Sequence, residues 1–90
     1  MFYVYLLRSK KDQSYYIGQT EDVDARLQRH NNGYVSSTRR RVPWVLVGFE
    51  TYPTRSAARW REFELKNSSV KRREFIKNVR IGPHSSTDRA

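Results

Sequence analysis

A chain of 90 residues without a single cysteine has to hold itself together by packing alone. Disulfides, zinc–thiolate sites and thiol nucleophiles are all excluded, and nothing points to an oxidising compartment. One domain is expected, and a domain of this length buries only roughly 60–65% of the surface its unfolded chain exposes. The core is therefore thin, and rings must supply much of it: six tyrosines, four phenylalanines and two tryptophans. No apolar run approaches the ~20 residues of a membrane span. The opening MFYVYLL lacks the basic region and cleavage site of a signal peptide. A cytoplasmic protein without a membrane partner is expected.

Charge narrows the partner. With 18 basic against 9 acidic side chains, the formal net charge is +9, a strong positive field on a small body. Such a surface favours a polyanion, because neutralising phosphates releases condensed counterions. Charge kept for solubility, or a ribosome-associated basic protein, are the blander explanations. Nucleic acid is the partner this composition favours.

Hydrophobic spacing predicts the elements. Phe2 to Arg8 (FYVYLLR) is aromatic, β-branched and apolar, as a strand is. The turn formers SKKDQS follow, Tyr15 to Ile17 resumes strand character, and the two pieces read as a β-hairpin. Gly18 is read as the break between strand and helix. Thr20 is the expected N-cap, with Glu21 and Asp22 in the first turn, where carboxylates suit the helix dipole. Val23 and Leu27 share a face, the helix runs to about His30, and Asn31, Asn32 and Gly33 stop it. A basic loop, YVSSTRRR, runs from Tyr34 to Arg41. From Pro43 the stretch PWVLVGFETY reads as a third strand, Trp44, Leu46 and Gly48 alternating with Val45, Val47 and Phe49. Both sets are largely apolar, so this strand is expected at the centre of the sheet, covered on both faces. Thr54 caps a second helix to about Lys66, and Ser69 a third, with Val70, Phe75, Ile76 and Val79 as its apolar stripe. The predicted class is α+β: a small central antiparallel three-stranded sheet flanked by helices, in the order β-β-α-β-α-α. It occupies residues 1–80, and the tail 81–90, IGPHSSTDRA, is expected to be disordered.

Chemistry gathers at a few positions. A two-residue turn at Lys10–Lys11 would set Tyr5 and Tyr16 directly opposite each other and on one face of the hairpin. Arg26 and His30 lie four apart, on one helix face, which a sharp turn at Gly18 would swing back toward the hairpin. Glu62 shares the stripe of Ala58 and Leu65 on the second helix; a carboxylate on a buried face is costly unless paired or bound to a cation. These are the parts of a phosphodiesterase. A hard cation takes oxygen ligands, polarises a phosphate and lowers the pKa of bound water. Arginine makes paired hydrogen bonds to phosphate, and a tyrosine or histidine can orient water or take its proton. Each residue alone has an ordinary explanation: half-buried strand tyrosines, a solvated helix arginine, a histidine at a helix end, a glutamate paired with Arg59 or Arg26. The combination at these spacings is what carries the argument.

The combination resembles the GIY-YIG nuclease signature. Tyr3-Val4-Tyr5 stands where the family has its first triplet, with Tyr3 in place of glycine and Tyr5 intact. Tyr16-Ile17-Gly18 is the second triplet unaltered, Arg26 follows its tyrosine by ten residues, and His30 matches the family's frequent histidine. Downstream, Ala57, Arg61, Glu62, Leu65 and Lys66 match the pattern that carries the metal-binding carboxylate. The likeness runs from about Phe2 to Lys77 and is greatest to the short, single-domain, excinuclease-like branch.

The resemblance implies a divalent-metal-dependent endonuclease that hydrolyses DNA phosphodiester bonds, with a place in repair or recombination. It implies Glu62 holding Mg²⁺ or Mn²⁺, Arg26 steadying the phosphate, His30 as proton relay or phosphate ligand, and Tyr5 or Tyr16 as general base or water-orienting group. A free phenol titrates near 10, so the base needs help from the cation or the guanidinium. DNA is the expected partner and RNA the alternative, gripped by Arg39, Arg40 and Arg41 in the loop and by Lys66, Lys71, Arg72 and Arg73, with Lys77 and Arg80 beyond. A monomer or weak dimer is expected. The competing reading is a non-catalytic DNA- or RNA-binding module that retains the fold.

Overall fold

The structure, a computed structural model, describes residues 1–79; the expectations for Arg80 and the tail 81–90 lie outside the described residues. Strands β1 (Phe2–Ser9), β2 (Tyr15–Thr20) and β3 (Trp44–Tyr52) form one antiparallel sheet, with helices α1 (Val23–Asn31), α2 (Arg55–Asn67) and α3 (Ser69–Val79) and a short 3₁₀ turn, Arg39–Arg41. The predicted class and element order hold.

The strand order is β2-β1-β3, so β1 is central rather than β3. The cause is visible in β1: Val4, Tyr5, Leu6 and Leu7 are all buried, whereas Val45 on β3 is exposed. One face of the sheet packs Val4, Leu6 and Ile17 against Ala58 and Leu65 of α2 and Phe75 and Val79 of α3. The other packs Tyr5, Leu7 and Trp44 with Tyr16, Leu27, Leu46 and Phe49, under α1. A bulge in β3 makes this second core possible. The register shifts between Leu6 and Leu7, so Gly48 opposes Leu6 while Leu46 opposes Leu7. The extra residue re-aims Trp44 and Leu46 onto the face of Phe49, breaking the simple alternation expected for this strand. Gly48 stays on the opposite face, where a Cβ would overlap the Val79 carbonyl.

The hairpin turn is longer than two residues. The Ser9 hydroxyl accepts from the amides of Lys11 and Asp12, and the Ser9 amide donates to the Ser14 carbonyl. Tyr5 therefore pairs with Gly18, and Tyr16 with Leu7. The two tyrosines share a face but sit diagonally, not directly opposite. Gly18 is not a turn: it lies inside β2, which continues to Thr20. Its role is steric, since a Cβ there would stand 2.5 Å from the Tyr5 hydroxyl and 2.7 Å from its Cζ.

The caps shift by a residue or two. Asp22, not Thr20, is the N-cap of α1, accepting from the Ala25 amide at 3.0 Å. Gly33, at a φ of 81°, donates to the His30 carbonyl and ends the helix in the left-handed conformation that suits glycine. Asn31 belongs to the helix; its side-chain amide makes two hydrogen bonds to the Trp44 backbone, tying α1 to β3. Thr54 caps α2 as expected. For α3 it is the Ser68 hydroxyl that accepts from the Lys71 amide, with Ser69 already helical, and Val70 is exposed rather than part of the apolar stripe.

Candidate active site

The centre of the α1-covered face is the Tyr5 hydroxyl. It lies 3.0 Å from His30 Nε2, and Arg26 Nε donates to it at 3.4 Å. The four-residue spacing on α1 thus delivers both side chains to one phenol. On its far side the His30 ring meets Thr38: Nδ1 is 2.8 Å from Oγ1, while the Thr38 hydroxyl donates to the Val35 carbonyl and the Thr38 carbonyl accepts from Trp44 Nε1 at 3.0 Å. With its proton on Val35, the Thr38 oxygen accepts from Nδ1–H. That leaves the Nε2 lone pair for the Tyr5 hydroxyl.

Burial shapes the electrostatics. Tyr5 is 1% exposed and His30 0%. Burial pushes the Tyr5 phenol up to about 12 against the opposing hydrogen bond from Arg26. Burial, then the nearby charges of Arg26 and Arg29, push the His30 imidazole down to about 4. At neutral pH the pair is a neutral phenol on a neutral imidazole. His30 has no surface to offer a phosphate.

What faces outward is a different set. Tyr16 is half-buried, its ring 4.9 Å from that of His30 and 6.4 Å from that of Tyr5, and its hydroxyl has no protein partner among the described residues. Arg26, anchored through Nε, keeps its terminal nitrogens unengaged among the described residues. Although α2 packs on the opposite face, β2 is the outer strand, so Lys66 reaches past its edge to place Nζ 5.3 Å from the Tyr16 ring centre. The same ammonium donates to Glu62 at 2.9 Å. Glu62 thus pairs with Lys66, and its charge reaches Tyr5.

The family model for the GIY-YIG catalytic domain matches residues 1–75. The chain belongs to the GIY-YIG family. A UPF0213 protein of Halalkalibacterium halodurans is 39% identical over 87 residues, covering 94% of this chain and 90% of the relative. One from Haloquadratum walsbyi is 42% identical over 75 residues, covering 82% and 83%. The solution NMR structure of the first of these relatives, there under the organism name Bacillus halodurans, superposes with a TM-score of 0.56 at 36% identity, covering 99% of this chain and 96% of that one. The fold is therefore shared with small single-domain members of the GIY-YIG family.

Within this GIY-YIG domain the one carboxylate that the site residues include is Glu62. Among the described residues no group of three His, Cys, Asp or Glu is placed to hold an ion. A lone, half-buried Glu62 suits a small hard cation of the Mg²⁺ class, which keeps most of its waters and needs only one or two carboxylates.

The basic residues divide. Arg41 is used internally: its guanidinium bonds to Ser14 and the Ser37 carbonyl and stacks 5.0 Å over Trp44. Arg72 donates to the Leu65 carbonyl at 2.9 Å, closing the end of α2. Lys71 pairs with Glu64 at 3.1 Å. Arg39, Arg40, Arg73 and Lys77 are exposed, with side chains that make no hydrogen bond or ion pair among the described residues. Sequence reasoning missed Thr38, which fixes the His30 tautomer, and Trp44, which roofs the site. Thr38 lies eight residues beyond His30 in an aperiodic polar loop, where no spacing marks it.

Proposed function

We propose that this chain is a divalent-metal-dependent endonuclease hydrolysing DNA phosphodiester bonds, in repair or recombination. The observation that carries the reading is the Tyr5 hydroxyl holding Arg26 by Nε, so that the guanidinium's outer edge is free to grip a phosphate in two parallel hydrogen bonds. Tyr16 orients the attacking water, because its hydroxyl has no protein partner among the described residues while that of Tyr5 is committed to His30. Tyr5 and His30 act from behind, as a neutral hydrogen-bonded pair that fixes Arg26 in place. Glu62 would hold Mg²⁺ or Mn²⁺, whose charge neutralises the phosphate and acidifies water. Arg39, Arg40 and Arg73 supply the phosphate contacts that keep the DNA in place. Support comes from membership of a family named for a catalytic domain and from the convergence of Tyr5, Arg26, His30 and Tyr16.

A second reading, a DNA- or RNA-binding module without catalysis, draws on the Glu62–Lys66 pair: the ammonium already satisfies the carboxylate. Supercoiled plasmid separates the two. Incubated with the protein in Mg²⁺, in Mn²⁺ and in chelator, it becomes nicked only with metal if the nuclease reading holds. Bound but uncut plasmid in every arm, and equally uncut branched DNA, would transfer the conclusion to the binding module.

A further inference from the structure

The outer face of α2 carries two large rings that the core does not use. Trp60 is 61% exposed and Phe63 55%, their centroids 5.4 Å apart and their planes 23° from parallel. Together they present a flat aromatic surface on which a third ring can stack. Its surroundings are positive. Arg59 is exposed and makes no hydrogen bond or ion pair among the described residues. It shares a ridge with Phe63 and Lys66, four and seven residues on. The two carboxylates of the helix are already engaged, Glu62 by Lys66 and Glu64 by Lys71 and Arg61. The ridge also leads toward the candidate active site: Lys66, three residues beyond Phe63, places its ammonium 5.3 Å from the Tyr16 ring centre.

We propose that Trp60 and Phe63 form a stacking platform for the unpaired bases of single-stranded DNA adjoining the scissile phosphate. Arg59 takes the neighbouring backbone phosphate. The proposal rests on the nuclease reading for its substrate and deepens it: the preferred DNA has a single-stranded arm. A duplex hides its base faces, whereas an unpaired strand offers a phosphate and a π-face at each step. A protein partner fits less well. Two partly exposed rings present roughly 200–300 Å², against the ~800 Å² that each side of a stable complex buries.

The two tryptophans make the test direct, since Trp44 is 1% exposed and only Trp60 can meet a base. The full chain in chelator is titrated with an oligothymidylate of ~12 nucleotides, an abasic oligomer of that length and a duplex. The thymidylate is expected to quench the red-shifted emission of Trp60, while the abasic oligomer does not. Trp60→Ala and Phe63→Ala should each weaken thymidylate binding about tenfold and leave duplex affinity in chelator unchanged, while Trp60→Phe should keep thymidylate affinity near wild type. Absence of quenching, thymidylate affinity equal to wild type in both alanine variants, or a dimer that Trp60→Ala dissolves would each overturn the platform. Because binding is read in chelator, a wild type that cuts nothing sinks the nuclease reading without touching this result.

Discussion

Acid should loosen this protein before most of its carboxylates titrate, because His30 is buried as a neutral imidazole. Its folded pKa of about 4 lies below the 6.5 of an ordinary histidine. Between those values the unfolded chain binds a proton that the folded chain does not, so stability rises with pH and is lost on acidification. The contribution is complete above 6.5 and gone below about 4, a difference of roughly 3 kcal/mol. From about pH 7 to about pH 5 the loss is about 2 kcal/mol, which for a domain of this size lowers Tm by roughly 10 °C. The geometry explains the sign. A protonated ring would aim Nε2–H at the Tyr5 oxygen, which already accepts from Arg26, and the Tyr5 proton would lose its acceptor. Asp12 and Glu64, held below the usual carboxylate range by Ser14 and Lys71 respectively, lose their contributions only at lower pH. Thermal unfolding followed by circular dichroism across this range, with the His30 imidazole resonance tracked by NMR, checks the reasoning. A ring that titrates near its ordinary value while Tm stays flat would refute it.

Other perturbations probe the same architecture. Thr38→Val leaves His30 Nδ1 without its acceptor inside the core, costing about 1–3 kcal/mol, whereas Thr38→Ser should cost clearly less; equal melting temperatures for the two would remove Thr38 from the network. Gly18→Ala must displace the Tyr5 ring, so nicking should fall while the far-UV spectrum is kept, and full activity would mean that the Tyr5 position is not needed. Arg72→Ala should lower stability by about 1 kcal/mol without changing the salt dependence of DNA binding. Removing Arg39 and Arg40 together should leave stability alone and reduce the salt slope by about 2; the opposite pattern would exchange the two roles.

Much of this was readable from residue order, and the failures share a cause. The element sequence, Thr54 as a cap and the Arg26–His30 face follow from local spacing, which backbone geometry fixes. Gly18 was misassigned because glycine as a breaker and glycine as a close-approach site look identical in sequence. Only the Tyr5 ring lying over it distinguishes them. The centre of the sheet was misplaced because β3 owes its two apolar sets to a bulge, and a bulge depends on pairing with β1. Likewise the diagonal of Tyr5 and Tyr16 depends on the Ser9 hydroxyl organising a longer turn. Arg41 and Arg72 are indistinguishable by composition from Arg39 and Arg73, and only their carbonyl and ring partners show that the fold uses them.

The central claim is that Arg26 and Glu62 serve cleavage rather than the fold. Single-turnover nicking by wild type, Arg26→Ala and Glu62→Ala, each checked for folding and for DNA binding, tests it most directly. Both variants are expected to bind DNA and to lose about 10²-fold or more in rate. Rates near wild type in both would contradict it, and would place any cleavage outside this site.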